Sequence, residues 1–170
     1  MALTDDAQKL ATLKADIAAD PVFSTMPNGP DEAFTSAAAY NATAVPDFYV
    51  WKSSVAESEI LNNGMDFTLV DGLSQGRRDE WSEWIFKFGS CNPSKPNIRA
   101  GIIDVWSGNA AKNAVQLQVW GHCQKLATRG EKLFATGTGT AAIVGGTGPG
   151  TTTLDQPISY TDVLAARNLP

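Results

Sequence analysis

Histidine is almost missing from this chain. Its 170 residues include one, His122, so a histidine-based metal cage cannot be built within one copy. Cysteine is scarce as well. Cys91 and Cys123 are the only two, too few for a disulfide framework in a chain this long. They are expected to be reduced, partly buried thiols. Cys123 adjoins His122, but neighbours on a helix point about 100° apart and do not readily share an ion. No run of about 18 apolar residues occurs, so no transmembrane helix is expected. The opening Met1-Ala-Leu-Thr-Asp-Asp has neither a basic start nor an apolar core, unlike a signal peptide. The expectation is a protein made in the cytoplasm and not bound to membrane.

Charge is also sparse, at 18% of residues, with a net charge of −5. That average field repels free nucleic acid. The basic clusters Arg77-Arg78 and Lys125 to Lys132 lack the interleaved aromatics of a phosphate-tracking stripe. No specific nucleic-acid recognition is expected.

Signals of chemistry are equally thin. There is no Gly-x-Ser-x-Gly elbow for a serine nucleophile. Gly145-Gly-Thr-Gly-Pro-Gly150 lacks the lysine of a phosphate loop, and Gly137-Thr-Gly139 lacks the third glycine of a dinucleotide fingerprint. No motif surrounds Cys91 that would pair it with His122 as a nucleophile. Glu80–Glu83 and Glu57–Glu59 read as solvated faces rather than an acid/base pair. His122, on an apolar helix face, reads as a satisfied, partly buried histidine. The expectation is a protein that is not an enzyme, with no catalytic, cofactor-binding or metal-binding residues.

What is present is an ordinary apolar content of 43% and much helical periodicity. Thr4 can cap a helix carrying Leu10, Leu13 and Ile17, which Pro21 ends. Asp31 and Glu32 open a second, fading near Asn41. Phe48-Tyr-Val-Trp51 is either a buried extended segment or the entry to a helix. Ser54-Val-Ala-Glu57 has the form of a capping box, and Asn62-Asn63-Gly64 closes that helix. Phe67 to Asp71 reads as a connection. Trp81, Trp84, Ile85 and Phe88 mark one face of the next helix, stopped by Gly89. Asn97 can cap another, with Ile98, Ile102, Val105 and Trp106. Trp81, Trp84 and Trp106 read as core, whereas Trp51 and Trp120 suit either a core or an interface. The longest run starts near Asn109 and extends through Phe134, about 40 Å at 1.5 Å per residue. From Thr136 the composition turns to Gly and Thr. Ala142–Val144 and Thr151–Leu154 can pair as a small hairpin, and Ser159 can cap a short last helix. The fold expected is mainly α. It is a helical bundle with a long central helix (body 1–135) and an extended Gly/Thr-rich C-terminal arm (136–170) ending in a short helix.

Three stretches resemble a family of structural proteins of tailed bacteriophages. They are Leu3-Thr-Asp-Asp-Ala-Gln through Pro27-Asn28, Arg129-Gly-Glu-Lys-Leu-Phe-Ala-Thr-Gly-Thr-Gly-Thr140, and Pro157-Ile-Ser-Tyr-Thr-Asp-Val-Leu-Ala-Ala-Arg167. The middle one is the most distinctive. The resemblance implies a virion protein, a head-to-tail adaptor forming a homo-oligomeric ring, a dodecamer, between the portal protein and a tail or tail-nozzle protein. Another virion station, such as tail completion or capsid association, is the alternative, and a phage-encoded enzyme a weaker one. A ring subunit needs two different side surfaces. The arm supplies the expected interface residues: Thr138, Thr140, Ile143, Val144, Thr152, Leu154, Ile158, Tyr160, Val163 and Leu164. Its exposed backbone would add strands to a partner's sheet, ordering only on binding, and the body would fold without it.

Overall fold

The computed structural model describes residues 3–63 and 65–170, and of Trp84 only the backbone. The expected helix stop at Gly64 and the core position of Trp84 lie outside what it describes. Helix α1 (Ala7–Ala19) is capped by Asp6, whose carboxylate accepts from the N–H groups of Gln8 and Lys9. Thr4, the expected cap, lies in the preceding 3-10 turn, Leu3–Asp5. Helix α2 (Pro30–Asn41) starts with proline at its first position, where no amide donor is needed. Strands β1 (Tyr49–Trp51) and β2 (Val55–Ala56) follow, then α3 (Glu57–Leu61). The expected box at Ser54 does not form. Strand β2 pairs antiparallel with β3 (Ser90–Cys91), Val55 opposite Cys91, so Val55 enters the core and Ala56 becomes the cap.

Helix α4 (Phe67–Asp71), capped by Asp66, occupies the stretch read as a connection. Helix α5 (Gln75–Asp79) runs into a turn of π-helix, Glu80–Ile85, with Phe86 N–H bonded to the Trp81 carbonyl. This widened turn inserts a residue and rotates the face. Phe86 therefore takes the buried place expected of Phe88, which is 90% exposed. In α6 (Pro96–Val105) the proline occupies the first turn, so Lys95 rather than Asn97 is the cap.

The long central helix is divided. Helix α7 (Ala110–Cys123) starts at Asn109 as expected, but Gln124 turns extended and begins β4 (Gln124–Leu126), which pairs with β1. A new helix, α8 (Arg129–Leu133), opens with a capping box between Thr128 and Glu131. That box offers the backbone a fresh start that competes with continuing α7. The apolar spacing bridges the break and hides it. Strands β5 (Ala135–Thr136) and β6 (Thr151–Thr152) pair with each other, and the expected hairpin partner of Thr151–Leu154 pairs elsewhere. Helix α9 (Tyr160–Arg167) is capped by Ser159 in a box with Asp162.

The chain is mainly α and divides into two compact units. One comprises Met1–Phe48, Leu126–Thr136 and Thr152–Pro170, and the other Tyr49–Lys125 and Gly137–Thr151. These bounds differ from the expected body and arm. In the first unit α1, α2 and α9 pack around Leu13, Ile17, Phe23, Tyr40, Ile158 and Val163. The second is built on tryptophan. Trp51 meets Trp120 edge-on and Trp81 meets Trp106 edge-on, all four buried. Trp51 and Trp120 are therefore core residues. The first unit carries ten acidic and five basic side chains and the second eight of each, so the whole net charge belongs to the first.

Candidate assembly surface

The segment from Thr128 to Thr140 has a local physical logic. In the first unit the Arg129 guanidinium spans two carboxylates, Asp16 in α1 and Asp20 at its C-terminal cap. One nitrogen donates to Asp20 at 2.7 Å and another to Asp16 at 2.8 Å. Its central carbon lies over the Phe23 and Tyr40 rings, 4.8 and 4.7 Å from their centroids. The Tyr40 hydroxyl donates to the same Asp16 oxygen at 2.6 Å, and burial, then that carboxylate, pushes its ionisation well up. Asp20 also accepts the Phe23 and Val22 amides. Those bonds, led by the Phe23 amide and aided by Arg129, hold its carboxyl below the usual range.

Gly130 lies where a Cβ would stand 2.8 Å from Ile158 Cδ1 and 3.3 Å from the Tyr40 carbonyl, so a side chain there would have to push Ile158 aside. Asn41 locks the same place. Its amide nitrogen donates to the Ile158 carbonyl at 2.7 Å, and its oxygen accepts the Ile158 amide at 3.0 Å.

The Gly/Thr run then enters the second unit. The Tyr49 amide donates to the Gly139 carbonyl at 2.7 Å, and the Trp51 amide to the Gly150 carbonyl at 2.9 Å. The backbone expected to extend a partner's sheet is thus used by β1 of its own chain. Between these points the chain folds back on itself, with Ile143 bridged to Thr147. Two glutamines from α7 and β4 grip this hairpin. Gln116, buried, accepts the Gly145 amide at 2.7 Å, and Gln124 accepts the Ala142 amide at 2.8 Å. Gly146 adopts φ +64°, and a Cβ there would fall 2.9 Å from the Trp120 ring.

The ten expected interface residues separate on this framework. Thr138, Thr140, Ile143, Val144 and Tyr160 are exposed, and Thr152, Leu154 and Leu164 are half-buried. Ile158 and Val163 are buried in the core of the first unit. Ile158 and Val163, expected at an interface, therefore pack within their own chain. At the hairpin tip Ile143 is 59% exposed and Val144 42%. The sequence reading missed Phe34, which stacks on Tyr160 at 4.1 Å and is itself 56% exposed. It also missed the outward turn of Phe88. Phe34 was hidden by its place in a good helical pattern, and Phe88 by the π turn.

His122 is half-buried, 3.9 Å from Glu59, whose carboxylate Lys52 holds at 2.6 Å. Among the described residues no three potential metal ligands come together, and no helix is long and apolar enough to cross a membrane. No family model, curated protein or solved structure matches the chain.

Proposed function

We propose that this chain is a structural subunit of a tailed-phage particle, a head-to-tail adaptor whose copies form a dodecameric ring between portal and tail. The observation that carries the reading is the hairpin tip. Ile143 and Val144 are adjacent, apolar and exposed, on a turn held by Gln116 and Gln124. An apolar knob already fixed in place loses little conformational freedom on docking. One such knob per subunit, received by a different surface on the next, is what a heterologous ring contact requires. The resemblance of Arg129 to Thr140 to the phage family supports the same reading, because that segment leads directly into the hairpin.

Of the arm expected over 136–170, this reading assigns the hairpin to partners and the terminal helix to the subunit itself. Thr138 and Thr140 lie at the base of the hairpin, opposite Gly148. Thr138 donates to the Gly148 carbonyl at 2.8 Å.

The deciding measurement is the copy number of the protein in density-banded virions, by quantitative mass spectrometry against the portal protein. A ratio near one to one is expected. A ratio in the hundreds assigns it to capsid or tail tube, and absence from virions overturns the structural role. The paired change Ile143→Asp with Val144→Asp is expected to leave the circular dichroism spectrum unchanged and abolish infectious particles. Normal particle yield from that variant would show that the knob is not an interface.

A further inference from the structure

An asparagine followed by glycine can lose its side-chain ammonia, because no side chain shields the next amide nitrogen or restricts its backbone. The chain holds two such pairs, Asn28-Gly29 and Asn63-Gly64, and the first lies wholly within the described residues. Asn28 is exposed, in the bend between the 3-10 turn Phe23–Thr25 and α2. The Gly29 amide donates to none of the described residues, so the nitrogen that would attack is not held by a hydrogen bond. Glu32 folds back against the same glycine. Its Oε2 stands 2.5 Å from where a Gly29 Cβ would be, which puts it no more than about 5 Å from the Gly29 nitrogen. One bridging water spans that gap.

We propose that Asn28 is a self-modifying site, which deamidates through the Gly29 nitrogen with Glu32 as the base. The nucleophile, the carbonyl carbon and the base belong to five consecutive residues, so the reaction is intramolecular and needs no docking. The Glu32 carboxylate takes the Gly29 amide proton as that nitrogen attacks Asn28 Cγ. The proton passes to Asn28 Nδ2, which leaves as ammonia, and a succinimide ring closes. Water then opens the ring at either carbonyl and gives aspartate or isoaspartate at position 28. Nothing is oxidised or reduced, and water is the only co-reactant.

The surroundings give the change a structural consequence. Asn28 Nδ2 donates to Asn168 Oδ1 at 2.8 Å, and the Pro27 carbonyl accepts Arg167 Nη1 at 2.7 Å. The bend therefore holds the end of α9. Either product removes the donor to Asn168, and isoaspartate also adds a methylene to the main chain beside Pro27. The modification loosens a tether between α9 and the rest of the first unit as the protein ages. This inference stands apart from the proposed virion role.

The test incubates the purified chain at neutral pH, folded and unfolded in urea, and follows residue 28 by peptide mapping and mass spectrometry. The expected product is heavier by the difference between OH and NH2 and resolves into aspartyl and isoaspartyl peptides. Folded chain should convert at least as fast as unfolded chain, because only the fold sets Glu32 against Gly29. An Asn28 that stays intact in folded chain while unfolded chain converts overturns the proposal. Gly29→Ala should slow the reaction about tenfold. Glu32→Gln should slow it to the unfolded rate, and an unchanged rate overturns the assignment of the base. The separated isoaspartyl form should show a lower urea midpoint than fresh protein, and equal midpoints overturn the loosening of α9. If the variants do not fold, the wild-type comparison alone decides.

Discussion

Arg129 concentrates more interactions than any side chain around it, and its removal should be felt throughout the first unit. Arg129→Ala leaves Asp16 and Asp20 close together without their cation and strips the cover from two aromatic rings. The expected loss is about 1–3 kcal/mol, below that of a fully buried pair because water reaches part of the guanidinium. A fall in the urea midpoint with an unchanged slope would report it. The same cluster sets an acid limit. The Asp20 carboxyl titrates lower in the folded chain than in the unfolded chain. Its contribution is fully present above the ordinary aspartate range and drains away as pH falls through the folded value. The urea midpoint should therefore drop as acid is added below about pH 5, and Asp20→Asn should flatten that dependence. Gly130→Ala should cost about 1–3 kcal/mol through the clash with Ile158, and Ile158→Val should recover part of it. Additive losses in the double variant would refute the contact. At this scale the sequence was legible as motif but not as mechanism. Arg129-Gly-Glu is conspicuous, yet its partners Asp16 and Asp20 lie 113 and 109 residues away, and spacing rules do not reach that far.

Local chemistry decides where the helices stop. The stripe Val115, Val119, His122, Leu126 continues the helical period, but the Thr128–Glu131 box restarts the helix and the intervening backbone becomes a strand. A short S/T-x-x-E signal outweighed a long periodic one, because a satisfied cap and a strand pairing replace the lost helix bonds. The π turn at Glu80–Ile85 is harder to foresee, since nothing in the residue types announces an inserted residue. Ser159, by contrast, was legible as a cap because its side chain acts within three residues. The hairpin gives an element-level prediction. Gln116→Leu removes the acceptor of the Gly145 amide and the donor to the Trp106 carbonyl. Leaving both groups unpaired should cost about 1–3 kcal/mol. Hydrogen exchange at Gly145 should accelerate at least tenfold while amides of α1 and α2 keep their protection. Equal acceleration in both places would mean that the glutamine supports the whole fold instead of the hairpin.

At the scale of the molecule, apolar content and helical period were enough to indicate a mainly α chain. The division into units was not readable, because each is assembled from segments far apart in sequence, and composition changes only at the Gly/Thr run. The division by contacts also bears on the expectation that residues 1–135 fold alone. Ile158, Val163 and Ala166 belong to one core, and Gly139 and Gly150 bond to β1, whose Trp51 belongs to the other. A chain ending after Thr136 should show no cooperative urea transition. A sharp transition of normal amplitude would restore the separate body.

The interleaved path also bears on synthesis. A ribosome delivers the chain from its N-terminus, and α1 and α2 emerge long before the helix that covers them. The first unit cannot close its apolar interior until α9 has been made. The last segment of the second unit ends at Thr151, so the later-starting unit has all its residues earlier in the chain. Until α9 is supplied, the apolar faces of α1 and α2 that it covers have no partner.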